Sequence, residues 1–207
     1  MREVSSLKKS TWDRYAPIYE RAMRSDGATY ESMYARISEV VRGKEVLELA
    51  TGPGLLAKHV AFSTKRMVAT DYSEGMIREA KKGEVPDDLT FEVADATDLP
   101  YEDASFDVVI IANALHVMPN PERALSEVRR VLRDNGLLIA PNFVSHDGTV
   151  VSRIWSWVLK RAGIGFDHQW TPDEYVAFLS DQGWRVVHRQ ELKARIALLY
   201  VECVRIR

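Results

Sequence analysis

From Glu45 onward the chain alternates apolar, strand-like runs with helix-like segments, and this alternation constrains its fold more than any other feature. Strands are expected at 45–50, 66–70, 89–94, 106–112 and 136–143, with helices near 54–61, 74–82 and 121–133. Runs such as Val108-Val109-Ile110-Ile111 offer no polar face to water, so they belong in a parallel sheet covered on both sides. Asp134-Asn135-Gly136 reads as a helix stop followed by a strand start. After Phe143 the pattern changes to a helix around 149–162, a Gly-rich loop at 163–168 and a helix at 172–181 opened by Thr171-Pro172-Asp173-Glu174. Two strands follow, at 184–190 and 196–205, joined too closely for a helical crossover and therefore antiparallel. Upstream, residues 5–41 read as two helices separated at Gly27, with Pro17 bending the first.

The first strand runs into Glu48-Leu49-Ala50-Thr51-Gly52-Pro53-Gly54, and the second ends in Asp71 and the third in Asp95. In doubly wound sheets ligands lie beyond the carboxyl ends of the strands, so these three carboxylates border the natural binding crevice. Gly52-Pro53-Gly54-Leu55-Leu56-Ala57 mimics the dinucleotide fingerprint, with Ala57 at its last position. Glu48, however, would set an anion beside a bound diphosphate. A cofactor built on adenosine without phosphates suits the pattern better, because one carboxylate can take both ribose hydroxyls and another the adenine amino group.

On these residues the chain resembles the class I S-adenosylmethionine-dependent methyltransferases. Glu48 to Gly54 is similar to the family's first motif, Val68-Ala69-Thr70-Asp71-Tyr72-Ser73-Glu74-Gly75-Met76 to its second, and Glu92-Val93-Ala94-Asp95-Ala96 to its third. Phe106 to Asn113 resembles the fourth-strand motif and Val131 to Ile139 the strand that follows, so the likeness covers residues 44–143 in order. Trp12-Asp13-Arg14-Tyr15-Ala16-Pro17-Ile18-Tyr19 is similar to the opening segment of quinone-biosynthesis C-methyltransferases and bacterial phospholipid N-methyltransferases. The resemblance implies a Rossmann-like α/β fold with a seven-stranded, mostly parallel sheet whose last strand is antiparallel. It also implies S-adenosylmethionine as cofactor. Gly52 and Gly54, with Glu48, Ala50 and Thr51 in the same turn, would meet the methionine part. Asp71 would bind the ribose, Tyr72 and Met76 would flank the adenine, and Asp95 and the Ala96 amide would take its edge. Asn113 would offer its carbonyl to the ammonium, and Tyr19 would lie over the cofactor. One position departs from the family: its first glycine is Ala50, and if that site needs a positive φ an alanine costs roughly 1 kcal/mol or more.

Structural roles compete with several of these. Asp71 can cap the helix at Ser73-Glu74, Asp95 can cap a turn, and Tyr15 and Tyr19 can be helix-face core. His116, after the fourth strand, is the candidate catalytic base where the methyl group should point; its structural alternative is packing under Met118 and Pro119. His59 is expected to be structural. The aromatic stretch at 150–161 with Trp155 and Trp157, followed by Phe166, His168 and Trp170, stands as an insertion placed to lid the acceptor site. Tyr15, His116, Phe166, His168 and Trp170 are the expected acceptor-facing residues.

The formal charge of −2, with both signs interspersed, gives no field to recruit nucleic acid. A single cysteine, Cys203, excludes an internal disulfide and a multi-cysteine metal site, and no metal is expected. Neither a secretory leader nor a membrane-spanning segment is expected, although a helix with two tryptophans and flanking cations can rest on a membrane surface. The expectation is a single domain over 1–207, with a helical cover at 1–43, a cofactor-binding core at 44–143, an acceptor-site insertion at 144–170 and a C-terminal helix and strands at 171–207. It would act in the cytoplasm, as a monomer or homodimer, on a small-molecule or lipid-like acceptor. Two other functions use the same residues: a nucleotide-dependent oxidoreductase taking NAD, and a cofactor-binding partner subunit without catalysis.

Overall fold

The computed structural model describes residues 27–145, 168–192 and 197–206. Helix α1 (Gly27–Val40) leads into β1 (Glu45–Leu49), α2 (Leu55–Val60), β2 (Arg66–Asp71), α3 (Glu74–Ala80), β3 (Leu89–Val93), β4 (Phe106–Ile111) and α4 (Pro121–Val131). Then come β5 (Leu132–Ile139), β6 (Asn142–Phe143), α5 (Pro172–Asp181), β7 (Trp184–Leu192) and β8 (Leu198–Arg205). One mixed sheet contains all the strands, in the order β3-β2-β1-β4-β5-β8, with β7 on the outer side of β8. Strands β1 to β5 pair in parallel and β8 runs antiparallel to its neighbours.

The expected fifth strand is cut into β5 and β6 at Pro141, which has no N–H to contribute to a ladder. The path is nevertheless continuous. Ile139 stands opposite Glu202 and Asn142 opposite Leu199 in one unbroken register, and the Ala140 amide donates to the Val201 carbonyl at 3.0 Å. Taken as one interrupted strand, β5 and β6 give the seven-stranded sheet.

Alternation along the strands divides the core in two. Leu47, Leu49, Val109 and Ile111 face the cluster that includes α4 and α5, whereas Val46, Val108 and Ile110 face the cluster with α1, α2 and α3. Helix α1 buries Tyr30, Met33 and Ile37 in that second layer, and Arg36 forks onto the Glu202 carboxylate of β8 at 2.8 and 3.0 Å. The other segment of the expected N-terminal cover, and most of the expected insertion, fall outside the described residues.

Helix α4 ends at Val131, two residues earlier than the sequence suggests. Leu132 already pairs with Phe106, and Arg133 leaves helical geometry to bridge Asp107 at 2.6 Å and Glu45 at 2.9 Å. Among the described residues no helix is long and apolar enough to cross a membrane.

Candidate functional site

Strand β1 is flanked by β2 on one side and β4 on the other, so the chain's path reverses beyond its carboxyl end and opens a crevice there. The turn that leaves β1 has three left-handed residues within five positions: Ala50 at φ 55°, Gly52 at 57° and Gly54 at 76°. Ala50 therefore adopts the conformation a glycine would take, and bears the cost of its Cβ. Gly54 has a packing reason of its own. A Cβ there would stand 2.6 and 2.8 Å from the Phe91 ring of β3 and 3.1 Å from the Ala80 side chain, so the close approach of α2 to the sheet requires glycine.

Glu48 points into the layer beneath this turn and is only 2% exposed. Its carboxyl accepts a hydrogen bond from the Thr51 hydroxyl at 2.8 Å. Burial pushes its pKa up to about 8; the Thr51 bond opposes this and the nearby Asp71 carboxylate adds to it. At neutral pH the group is mostly protonated, which removes the charge that the sequence alone would place at the strand end.

Asp71 closes β2 and ties two turns together. Its Oδ2 accepts from the Gly52 amide at 2.9 Å and its Oδ1 from the Ser73 amide at 2.8 Å. Capping of α3 falls instead to Ser73, whose hydroxyl accepts from the Met76 amide at 3.0 Å. Met76 is buried, and Tyr72 is exposed at the crevice rim next to Asp71. Asp95 is exposed beyond β3 and folds its own turn, Oδ1 accepting from the Thr97 amide at 2.8 Å and hydroxyl at 2.7 Å; Ala96 follows, half-buried. Asp95 thus has the turn-capping role that competed with binding, whereas Asp71 leaves the helix cap to Ser73 and joins the two turns; both stand at adjacent strand ends.

On the β4 side, Asn113 has φ 52° and donates its amide to the Pro141 carbonyl at 2.8 Å. Its side-chain Oδ1 is buried without a hydrogen-bond partner among the described residues. His116 lies on a short 3-10 turn, Leu115–Val117, and is 4% exposed. Its Nδ1 stands 2.9 Å from Asn142 Oδ1, and the ring meets Phe143 edge-on at 5.4 Å. Burial brings the His116 pKa down to about 4; the Asn142 bond works in the raising direction and His168 nearby in the lowering one. The imidazole is neutral at pH 7.

The His168 amide donates to the His116 carbonyl at 3.0 Å, and its ring lies flat on Trp170 with centroids 5.0 Å apart. The structure thus gathers Asn113, His116 and His168 around the carboxyl ends of β4 and β5, with Trp170 packed beneath. Asn142 was not legible in the sequence, since it carries no motif and meets His116 only through the continuation of β5 as β6. Tyr15, Tyr19, Trp155, Trp157 and Phe166 lie outside the described residues. His59 packs its ring against Tyr34 of α1 at 5.1 Å, away from these strand ends. Among the described residues no group of three or more His, Cys, Asp or Glu side chains could hold a metal ion.

The donor set suits an adenosine carrying an amino-acid tail. Asp71 presents a carboxylate, an acceptor group, at the end of β2, where it already receives the Gly52 and Ser73 amides. Asn113 Oδ1 is a buried acceptor without a donor among the described residues, and the glycines of the left-handed turn carry no Cβ to hold a ligand away from the backbone.

Comparison with known proteins shows the family and the fold. The methyltransferase-domain family matches residues 47–140. The demethylmenaquinone methyltransferase of Paenarthrobacter aurescens is 31% identical, over 96% of this chain and 85% of that protein. In fold, the chain matches the 1,6-didemethyltoxoflavin-N1-methyltransferase of Burkholderia thailandensis, solved with its acceptor and S-adenosylhomocysteine, at a TM-score of 0.77, 16% identity, and 100% and 90% coverage. It also matches the Haloferax volcanii putative methyltransferase solved with the Trm112 activator, at a TM-score of 0.79, 23% identity, and 95% and 98% coverage.

Proposed function

This chain belongs to the class I S-adenosylmethionine-dependent methyltransferases, and on that premise we propose that it methylates a small-molecule or lipid-like acceptor held beyond β4 and β5. The observation that carries the site is the left-handed turn of Ala50, Gly52 and Gly54 tied by Asp71 at the reversal point of the sheet. S-adenosylmethionine supplies a methyl group on a sulfonium, ready for in-line displacement.

The chain's own residues position and desolvate. The Gly52 region holds the methionine end by backbone, and Glu48, neutral and bonded to the Thr51 hydroxyl, supports that turn. Asp71 receives the ribose hydroxyls, Tyr72 and Met76 flank the base, and Asp95 with the Ala96 amide reads its edge. Asn113 accepts from the ammonium. His116 is the base for an acceptor that must lose a proton: Nδ1 is committed to Asn142, so Nε2 is the atom that takes the proton. Tyr15, Tyr19 and Phe166 belong to the same proposal as cover residues. Positioning and exclusion of water supply most of the acceleration.

The acceptor class draws support from the quinone-type substrate in the name of the Paenarthrobacter relative. We place the enzyme in the cytoplasm, as a monomer or homodimer. Calorimetry with S-adenosylmethionine and S-adenosylhomocysteine, followed by mass spectrometry of a panel of quinols, phenols and amines, tests the proposal. Binding of NAD in place of both would overturn it, and cofactor binding without any methylated product would favour a silent partner subunit.

A further inference from the structure

Four buried side-chain polar atoms have no hydrogen-bond partner among the described residues. Two of them, Trp184 Nε1 and Arg205 Nε, sit at the amino end of β7 beside its partner strand, away from the crevice. The other two, Asn113 Oδ1 and His168 Nε2, stand at the carboxyl ends of β4 and β5, and the second has no role in the cofactor site.

The position of the His168 ring is set by everything except its own Nε2. Its backbone amide is bonded to the His116 carbonyl, and its imidazole is stacked on Trp170 with 3° between the planes. Trp170 is itself stacked on Phe178 of α5 at 4.7 Å, and its carbonyl accepts from the Ser145 amide at 2.8 Å. A phenylalanine would fill that stack equally well and would bury no polar atom. Leaving a polar atom buried and unpaired is destabilising, so a ring nitrogen in this place calls for a partner that arrives with a ligand.

The neighbours limit what that partner can be. Asn142 and Phe143 lie against His116, and Trp170 lies against His168; none of them is a carboxylate. Among these described neighbours a cationic amine would find no counter-charge for the hydration it loses, whereas a neutral hydroxyl needs one acceptor only. Resting on the methyltransferase proposal above, we infer that His168 is the acceptor-recognition residue, its Nε2 receiving a hydrogen bond from a neutral hydroxyl on an aromatic or enolic methyl acceptor. His116 then stands next to the hydroxyl-bearing ring, within one backbone hydrogen bond of the residue that orients it.

The test compares 1-naphthol with 1-methoxynaphthalene, which has the same ring and an oxygen but no hydroxyl proton. Dissociation constants are measured by tryptophan quenching in the presence of saturating S-adenosylhomocysteine. The wild type should bind 1-naphthol about tenfold more tightly, the worth of one satisfied hydrogen bond. His168→Phe, which keeps the stack, should bring the two ligands within about twofold while S-adenosylhomocysteine affinity stays the same. His168→Gln, which restores an acceptor, should recover part of the preference and guards against a folding defect in the first variant. Equal binding of both probes by the wild type, binding of neither, or a preference that survives His168→Phe would each overturn the inference. Failure of the wild type to bind S-adenosylhomocysteine would instead overturn the cofactor-site proposal on which it rests.

Discussion

His116 Nδ1 and Asn142 Oδ1 lie 2.9 Å apart in a pocket where the histidine is 4% and the asparagine 1% exposed. The amide orientation is fixed because Asn142 Nδ2 donates to the Phe143 carbonyl at 3.1 Å, which leaves Oδ1 facing the ring. An amide oxygen can only accept, so the proton sits on Nδ1 and the basic lone pair on Nε2.

Nitrogen NMR should therefore show His116 as the Nδ1–H tautomer, titrating near 4 rather than 6.5. Because its folded pKa is depressed, the unfolded chain binds the extra proton between those values. Stability contributed by the neutral ring is complete above about 6.5 and is lost as pH falls toward 4. Asn142→Asp should raise the His116 pKa by pairing it with a carboxylate and move the acid limb of any pH–rate profile upward. A tautomer and titration unchanged in Asn142→Leu would leave Asn142 without influence on the ring.

Glu48 predicts the opposite slope. Its pKa rises from 4.5 to about 8 on folding, so the native state holds a proton that the unfolded chain releases. The stability from the neutral carboxyl is complete below about 4.5 and declines as pH rises toward 8, by up to about 1.4 kcal/mol per pH unit. Glu48→Gln, neutral at every pH, should flatten that decline in denaturant titrations between pH 5 and pH 9. Parallel curves for the two proteins would place the Glu48 pKa near its ordinary value.

Gly54→Ala should destabilise the fold by about 2–4 kcal/mol, combining the cost of a left-handed alanine with overpacking against Phe91. Phe91→Leu in the same chain should return part of that loss. The neighbouring Ala50→Gly tests strain alone. It relieves roughly 1–2 kcal/mol of left-handed cost but adds about 0.4–1 kcal/mol of unfolded-chain entropy, so a net gain of about 0 to 1.6 kcal/mol is expected. Thermal unfolding distinguishes the two, and a stabilising Gly54→Ala would refute the packing argument.

Asp71→Ala removes the carboxylate that receives Gly52 and Ser73 amides as well as the proposed ribose contact. Affinity for S-adenosylmethionine and S-adenosylhomocysteine should fall by about 1.5–3 kcal/mol each, with a measurable drop in melting temperature because two turns lose their tie. Calorimetry that finds both affinities unchanged would take Asp71 out of the cofactor site.

The alternation of strands and helices, the two-faced burial of Val108 to Ile111 and the strand-end positions of Asp71 and Asp95 could all be read from the sequence, because periodicity and chain direction are local properties. The capping box of α5 was equally local: Thr171 and Glu174 stand three residues apart and satisfy each other's backbone amides. What the sequence left open at Ala50 was whether its turn demands a positive φ, and only the closed turn answers that. The partner of His116 lies 26 residues away and depends on the register that carries β5 past Pro141 against β8. The reason for Gly54 likewise lies in Phe91, on a strand two places across the sheet, and the His168 ring is set in place by its stack on Trp170, which in turn stacks on Phe178. Local sequence determined which elements form and which ends carry charge. Tertiary structure decided which charges survive and which polar atoms stay unpaired, because desolvation and hydrogen-bond pairing are fixed only when distant segments meet.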